Sequence, residues 1–193
     1  ENKSKNNPLV VILIFLVTAV VVFSTVFLML YLNSDFKEIK ANKTEYYVNV
    51  GETVKLDLSF TNILETDYEI TSQDTNIAAY NSADDVVEGL SGGKVAIIIN
   101  SSTIKNFVPI ALTITVCDGL TQEMAIMIDS KEDLIAVGSS EEMLTKCYRV
   151  VADIDLANEE WVPLGIIGDD VFEYTGKFNG GAYTISNLSI STP

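Results

Sequence analysis

The sequence predicts a mainly β protein that carries a single N-terminal transmembrane helix, followed by a β-sandwich and a second, smaller β unit. Three observations support this fold class. Residues 8–32 contain no charged side chain, apolar residues alternate with polar ones from Tyr46 onward, and a different strand pattern begins near Met124. Alternation with a period of two is typical of strands that bury one face.

The uncharged segment 8–32 predicts an uncleaved membrane anchor. As a helix it is roughly 37 Å long, enough to cross a hydrocarbon core of about 30 Å with some tilt. It is longer than the apolar core of a signal peptide, and no small-residue cleavage site follows it. A helix buried in a protein core is the alternative. Residues 1–7 are then a cytoplasmic flank, and the polar residues 33–43 are a short stalk.

The residues after the stalk predict a β-sandwich. Apolar side chains alternate in three runs that are separated by turn residues: Val54, Leu56, Leu58 and Phe60; Val95, Ile97 and Ile99; and Ile110, Leu112, Ile114 and Val116. Several short strands at this spacing, with no helical period between them, are typical of two packed sheets. The turn at Asp118-Gly119 closes the last run.

Three segments of this region, in order and spacing, resemble a bacterial immunoglobulin-like (BIg) domain. They are Tyr47–Val54, Asp74–Ala78 and Gly89–Ile97. The resemblance implies an Ig-like β-sandwich over residues 44–119. The sequence departs from the family pattern at Ser102–Pro109, where an extra excursion precedes the last strand.

The remaining residues, 120–193, resemble the GLUG-type regions of bacterial surface proteins. The matching motifs are Ile128–Leu134, Tyr148–Leu156, Trp161–Gly165, Phe172–Gly180 and Thr184–Leu188, with departures at Val150, Leu164 and Asn179. The resemblance implies a small β-helix-like (solenoid) unit, and Ser130 followed by Glu132-Asp133 predicts a capped short helix within it. A solenoid normally needs about three repeats. We therefore expect that the natural chain continues, or that this unit docks on the sandwich or on another subunit.

The composition disfavours several function classes. The net charge is −15 at pH 7, and such a surface repels nucleic-acid phosphates. Histidine is absent, which removes the commonest general base and excludes the usual nucleophile triads. We therefore predict a protein that is not an enzyme and does not bind nucleic acid.

Four aspartates are candidate ligands for Ca²⁺. Asp153 and Asp155 alternate on one strand face, and Asp169 and Asp170 follow in a loop. Oxygen-rich clusters can hold Ca²⁺, but the sequence has no EF-hand loop. The alternative is that these short acids bond neighbouring turn amides.

Cys117 and Cys147 are the only two cysteines. In a segment outside the cytoplasm they are candidates for a disulfide, and the alternative is a pair of buried free thiols.

The sequence thus predicts a membrane-anchored, single-pass surface protein whose C-terminal domains are extracellular. We expect a role in adhesion or as a structural component of the envelope, with the lipid bilayer and a protein or envelope polymer as partners. Two alternatives remain. The chain is the membrane-proximal anchor region of a larger surface enzyme, or an accessory subunit of a membrane protein complex.

Overall fold

The computed structural model describes residues 8–34 and 36–190, and the chain after its first helix is mainly β. Helix α1 spans Pro8–Ser34. The strands that follow are β1 (Glu38–Ala41), β2 (Glu45–Asn49), β3 (Thr53–Val54), β4 (Leu58–Thr61), β5 (Glu69–Ser72), β6 (Ala78–Asn81), β7 (Val86–Gly89), β8 (Gly93–Asn100) and β9 (Ile110–Cys117). The mainly β part of the predicted fold class is confirmed.

The transmembrane helix of the predicted fold class is not confirmed. A helix forms over the predicted segment, and the described side chains of residues 15–29 are all exposed. Among the described residues, no helix is long and apolar enough to cross a membrane. This finding overturns the predicted transmembrane helix and the single-pass placement that rested on it, while the lipid bilayer as a partner stays a prediction.

Two sheets enclose the core of the first β region. The larger sheet has the order β2-β9-β8-β5, with β2 parallel to β9 and the other pairs antiparallel, and the smaller is an antiparallel sheet of order β3-β7-β6. Ile97, Leu112 and Ile114 of the larger sheet share one fully buried cluster with Ala78 and Val87 of the smaller. Because side chains alternate across a strand, the two later apolar runs, in β8 and β9, face this core as predicted. The first run is divided between β3 and β4, and its Phe60 is exposed.

Most strands of the second β region pair in parallel and stack in chain order. Its elements are β10 (Ile126–Ile128), α2 (Lys131–Ala136), β11 (Cys147–Val150), β12 (Ile154–Asp155), β13 (Ile166–Ile167), β14 (Asp170–Val171), β15 (Lys177–Asn179) and β16 (Ile185–Ser186). Strands β10, β11 and β15 pair in parallel, and so do β12 and β16, whereas β13 and β14 form a short antiparallel ladder. Parallel neighbours need crossover connections, so each return of the chain adds one coil.

Helix α2 begins where the sequence predicts it. Ser130 precedes the helix and its hydroxyl accepts a hydrogen bond from the amide of Asp133, while the Asp133 carboxylate accepts from the amide of Ser130. This reciprocal cap satisfies amides that the first turn of a helix leaves without partners. Leu134 and Val137 then pack on Ile128 and Val150 in a second core.

The domain boundaries at 44–119 and 120–193 stay predictions.

Candidate interaction site

The first two calcium candidates hold together neighbouring coils of the second β region. The Asp153 carboxylate accepts a hydrogen bond from the Thr184 amide at 2.8 Å. The Asp155 carboxylate accepts one from the Ala157 amide at 2.8 Å and one from Asn187 Nδ2 at 2.7 Å. These donors, the backbone amide first, lower the pKa of Asp155. Asp155 therefore bonds a neighbouring turn amide, as the alternative prediction expects, whereas Asp153 bonds an amide 31 residues away on the next coil.

The other two calcium candidates, Asp169 and Asp170, lie apart from these hydrogen bonds. Asp169 is exposed at the turn between β13 and β14, and Asp170 pairs with Ile167 in that short antiparallel ladder. In the part of the chain that the structure describes, no group of three or more His, Cys, Asp or Glu side chains could hold a metal ion. The structure thus does not bring Asp153, Asp155, Asp169 and Asp170 together as a calcium site.

The two cysteines are free thiols in the structure, and both are buried. Cys117 ends β9, and burial raises the pKa of its thiol. Cys147 begins β11, and its amide donates to the Gly119 carbonyl at 2.8 Å. Both thiols occupy interior positions, and a disulfide between them stays a prediction.

The two β regions meet through the side chain of Asn49, at the end of β2. Its Nδ2 donates to the Met127 carbonyl at 3.0 Å, and its Oδ1 accepts from the Met127 amide at 2.8 Å. Asn49 is only 8% exposed. A buried amide with both groups paired in this way is geometrically demanding, since losing either partner leaves a buried polar group unpaired.

An arginine-tyrosine contact accompanies this junction. The Arg149 guanidinium lies 4.9 Å from the centroid of the Tyr47 ring, within the range of a cation–π interaction. A concavity of about 400 Å³ lies beside the junction and is lined by both regions, including Asn49, Cys117 and Tyr148. The sequence predicts docking of the second unit on the sandwich as one alternative, but it does not identify the residues of the junction. Its only local signal is a polar residue at the end of an apolar strand.

The apolar side chains of the last coil of the second region are partly exposed to solvent. Tyr148 is in register with Phe178, and their ring centroids lie 6.5 Å apart; Ile154 is in register with Ile185. Tyr148 and Ile154 are 2% and 3% exposed, whereas Phe178 and Ile185 are both 40% exposed. Each coil thus covers the one before it. Among the described residues, no strand covers β15 or β16 on the far side.

No protein-family model matches the chain. The resemblances to BIg domains and to GLUG-type regions therefore stay predictions.

The curated protein halomucin and several solved structures, among them two fragments of an S-layer protein, are similar to parts of the chain. Halomucin from Haloquadratum walsbyi is 36% identical over 89 residues, which are 42% of this chain and about 1% of halomucin. Domains 4 and 5 of the S-layer protein SbsC superpose with a TM-score of 0.35 at 20% identity, over 42% of this chain and 52% of that one. Domains 5–6 of the same protein give a TM-score of 0.34 at 20% identity, over 49% and 53%.

The chain therefore spans about 1% of the length of halomucin and about half of each S-layer fragment. Because both TM-scores are below 0.5, the two structural likenesses carry no argument about fold or function.

Proposed function

We propose that this chain is a non-enzymatic structural protein of the cell surface or envelope. The observation that carries the proposal is the sequence similarity to halomucin, at 36% identity over 89 residues. A net charge of −15 fits a surface role, because strong like charge keeps exposed proteins soluble and apart. The specific role that we propose is adhesion to a protein or to an envelope polymer.

The open last coil supports a role in assembly. Phe178 and Ile185 present apolar surface, and β15 and β16 present backbone groups, on the side away from the preceding coil. A further parallel coil would bury that apolar surface and pair those groups, as the last coil does for Tyr148 and Ile154. The added coil belongs either to more of this protein or to a partner.

Surface labelling of intact cells that naturally produce the protein tests the proposal. An amine-reactive biotin reagent that cannot cross membranes should modify it before lysis, since the Lys40 and Lys55 side chains are 63% and 71% exposed. A cytoplasmic protein of the same cells serves as the control and should be labelled only after lysis. Labelling of this chain only after lysis would contradict a surface location.

A further inference from the structure

An aromatic concavity opens on one side of the first β region. Its volume is about 600 Å³, and its aromatic lining consists of Phe60 in β4, Tyr68 just before β5, and Tyr80 in β6. The rings of Phe60 and Tyr68 are stacked, with centroids 5.0 Å apart and an angle of 26° between their planes. These rings give the concavity a wall of π-electron density.

The rim of the same concavity is acidic. Glu65, Glu69 and Asp85 line it, and all three are exposed. Asp85 accepts a hydrogen bond from the Tyr80 hydroxyl at 2.9 Å and lies 3.4 Å from Lys55 Nζ. Burial raises the pKa of Tyr80. The hydrogen bond to Asp85 raises it further, as do electrostatic interactions with Asp85, Tyr68 and Glu65. Among the described residues, no salt bridge joins Glu65 or Glu69 to a basic side chain.

A network around Asp67 fixes the turn that carries this lining. The Asp67 carboxylate accepts from Lys37 Nζ at 2.7 Å, from the Leu64 amide at 3.0 Å and from the Thr103 hydroxyl at 3.0 Å. Glu65 and Tyr68 flank Asp67 on either side of this anchored turn. The turn that carries Glu65 and Tyr68 is therefore held in place before a ligand arrives, which reduces the entropy cost of binding.

We propose that this concavity binds the side chain of a lysine on a partner polypeptide. The ring faces attract a cation and cover an alkyl stem, and the two carboxylates without a salt bridge neutralise its charge. A neutral sugar would also stack on aromatic rings, but the surplus of negative charge favours a cation. This inference goes beyond the proposed surface role and does not depend on it.

The strand beside the concavity explains why the cation belongs to a polypeptide. Strand β5 contributes Glu69 and Ile70 to the lining and pairs, among the described strands, with β8 alone. Its other edge forms no ladder among the described strands, although β6 lies near it, and the backbone groups there can bond a chain segment from a partner. A partner strand added there places alternate side chains towards the concavity, and a lysine at one of those positions reaches the rings.

The test is an NMR titration that monitors the ¹³C methyl signals of Ile63 and Ile70, which line the concavity. Three probes are compared: a capped pentapeptide with one central lysine, the same peptide with norleucine in its place, and n-butylammonium. We expect the lysine peptide to shift both signals and to bind more tightly than n-butylammonium, while the norleucine peptide leaves them unchanged. Equal binding of n-butylammonium and the lysine peptide would overturn the polypeptide partner in favour of a free alkylammonium ion.

Variants separate this site from general attraction to an acidic protein. Tyr68→Leu should weaken binding of the lysine peptide by about two- to five-fold, the size of an exposed cation–π contact. Glu65→Gln should weaken it by up to about five-fold, and added salt should reduce that difference. Glu141→Gln removes the same charge from an exposed position in the second β region and should change nothing. Equal effects of Glu65→Gln and Glu141→Gln, or equal binding of both peptides, would overturn the proposal. Neither result would affect the proposed surface role, which the labelling experiment tests.

Discussion

At the scale of single residues, Asp67 makes the fold sensitive to acid. Hydrogen bonds from the Leu64 amide and from Lys37 lower its pKa from 3.8 to about 2. Because the folded state binds the ionised carboxylate more favourably, this stabilisation is complete above pH 4 and is lost as the pH falls towards 2. Asp67→Asn should therefore reduce the urea midpoint at pH 6, and the difference from wild type should shrink at pH 2.

Lys37→Met provides the matched test of that explanation. It removes one donor to Asp67 and leaves the Leu64 amide and the Thr103 hydroxyl in place. The loss of stability between pH 6 and pH 2 should then lie between those of wild type and Asp67→Asn. If Asp67→Asn loses as much stability as wild type over this pH range, Asp67 is not responsible for the acid sensitivity.

Ser130 stabilises α2 through a single hydroxyl group. Its oxygen accepts from the Asp133 amide at 3.2 Å, and loss of such a cap typically costs about 1 kcal/mol. Ser130→Ala should therefore lower the free energy of unfolding by about that amount in a urea titration. Ser82→Ala, at an exposed turn, is the control and should stay within about 0.5 kcal/mol of wild type. Equal values for the two variants would show that the cap contributes nothing.

At the scale of elements, the layering of the coils predicts unequal costs for two identical substitutions. Ile154 in β12 is 3% exposed, and its in-register neighbour Ile185 in β16 is 40% exposed. Ile154→Ala should cost about 2–5 kcal/mol because it leaves a cavity in a closed layer, and Ile185→Ala should cost clearly less. Urea unfolding of the two variants measures both. Equal costs would mean that the last coil is as closed as the one before it.

The elements also show what local sequence can predict. Strands β8 and β9 follow from alternation alone, since Val95, Ile97 and Ile99 fill one face and the opposite positions are less buried. The cap of α2 follows from a pattern of four residues. These features depend on neighbours along the chain, so the sequence suffices.

Features that depend on distant residues were not predicted. Asn49 and Met127 are 78 positions apart, and nothing in either segment indicates the other. The aromatic concavity likewise brings together Phe60, Tyr68 and Tyr80 from three different elements. Asp153 and Asp155 have the residue type and spacing of metal ligands, but the Thr184 amide and Asn187 Nδ2 of the next coil donate to their carboxylates. These donors lie 31 and 32 residues further along the chain.

At the scale of the whole molecule, Asn49 couples the two β regions. Both atoms of its amide group pair with the backbone of Met127, at 3.0 and 2.8 Å. Asn49→Leu keeps a similar volume but leaves the amide and carbonyl of Met127 without these partners, which costs about 1–3 kcal/mol for each buried group. The variant should therefore be less stable, and the Met127 amide should exchange with solvent deuterium faster than in wild type.

The pattern of exchange decides whether the junction links the regions or only stabilises one of them. If it links them, Asn49→Leu should accelerate exchange along β10 and at the end of β2, while β8 in the first core stays protected. Asn81→Ala is the matched control, because the Asn81 side chain bonds only within its own turn, to Ala83 and Asp84. It should accelerate exchange in that turn and leave Met127 unchanged. Unchanged exchange at Met127 in Asn49→Leu would show that the two regions hold together without this side chain, through contacts such as that of Arg149 with Tyr47.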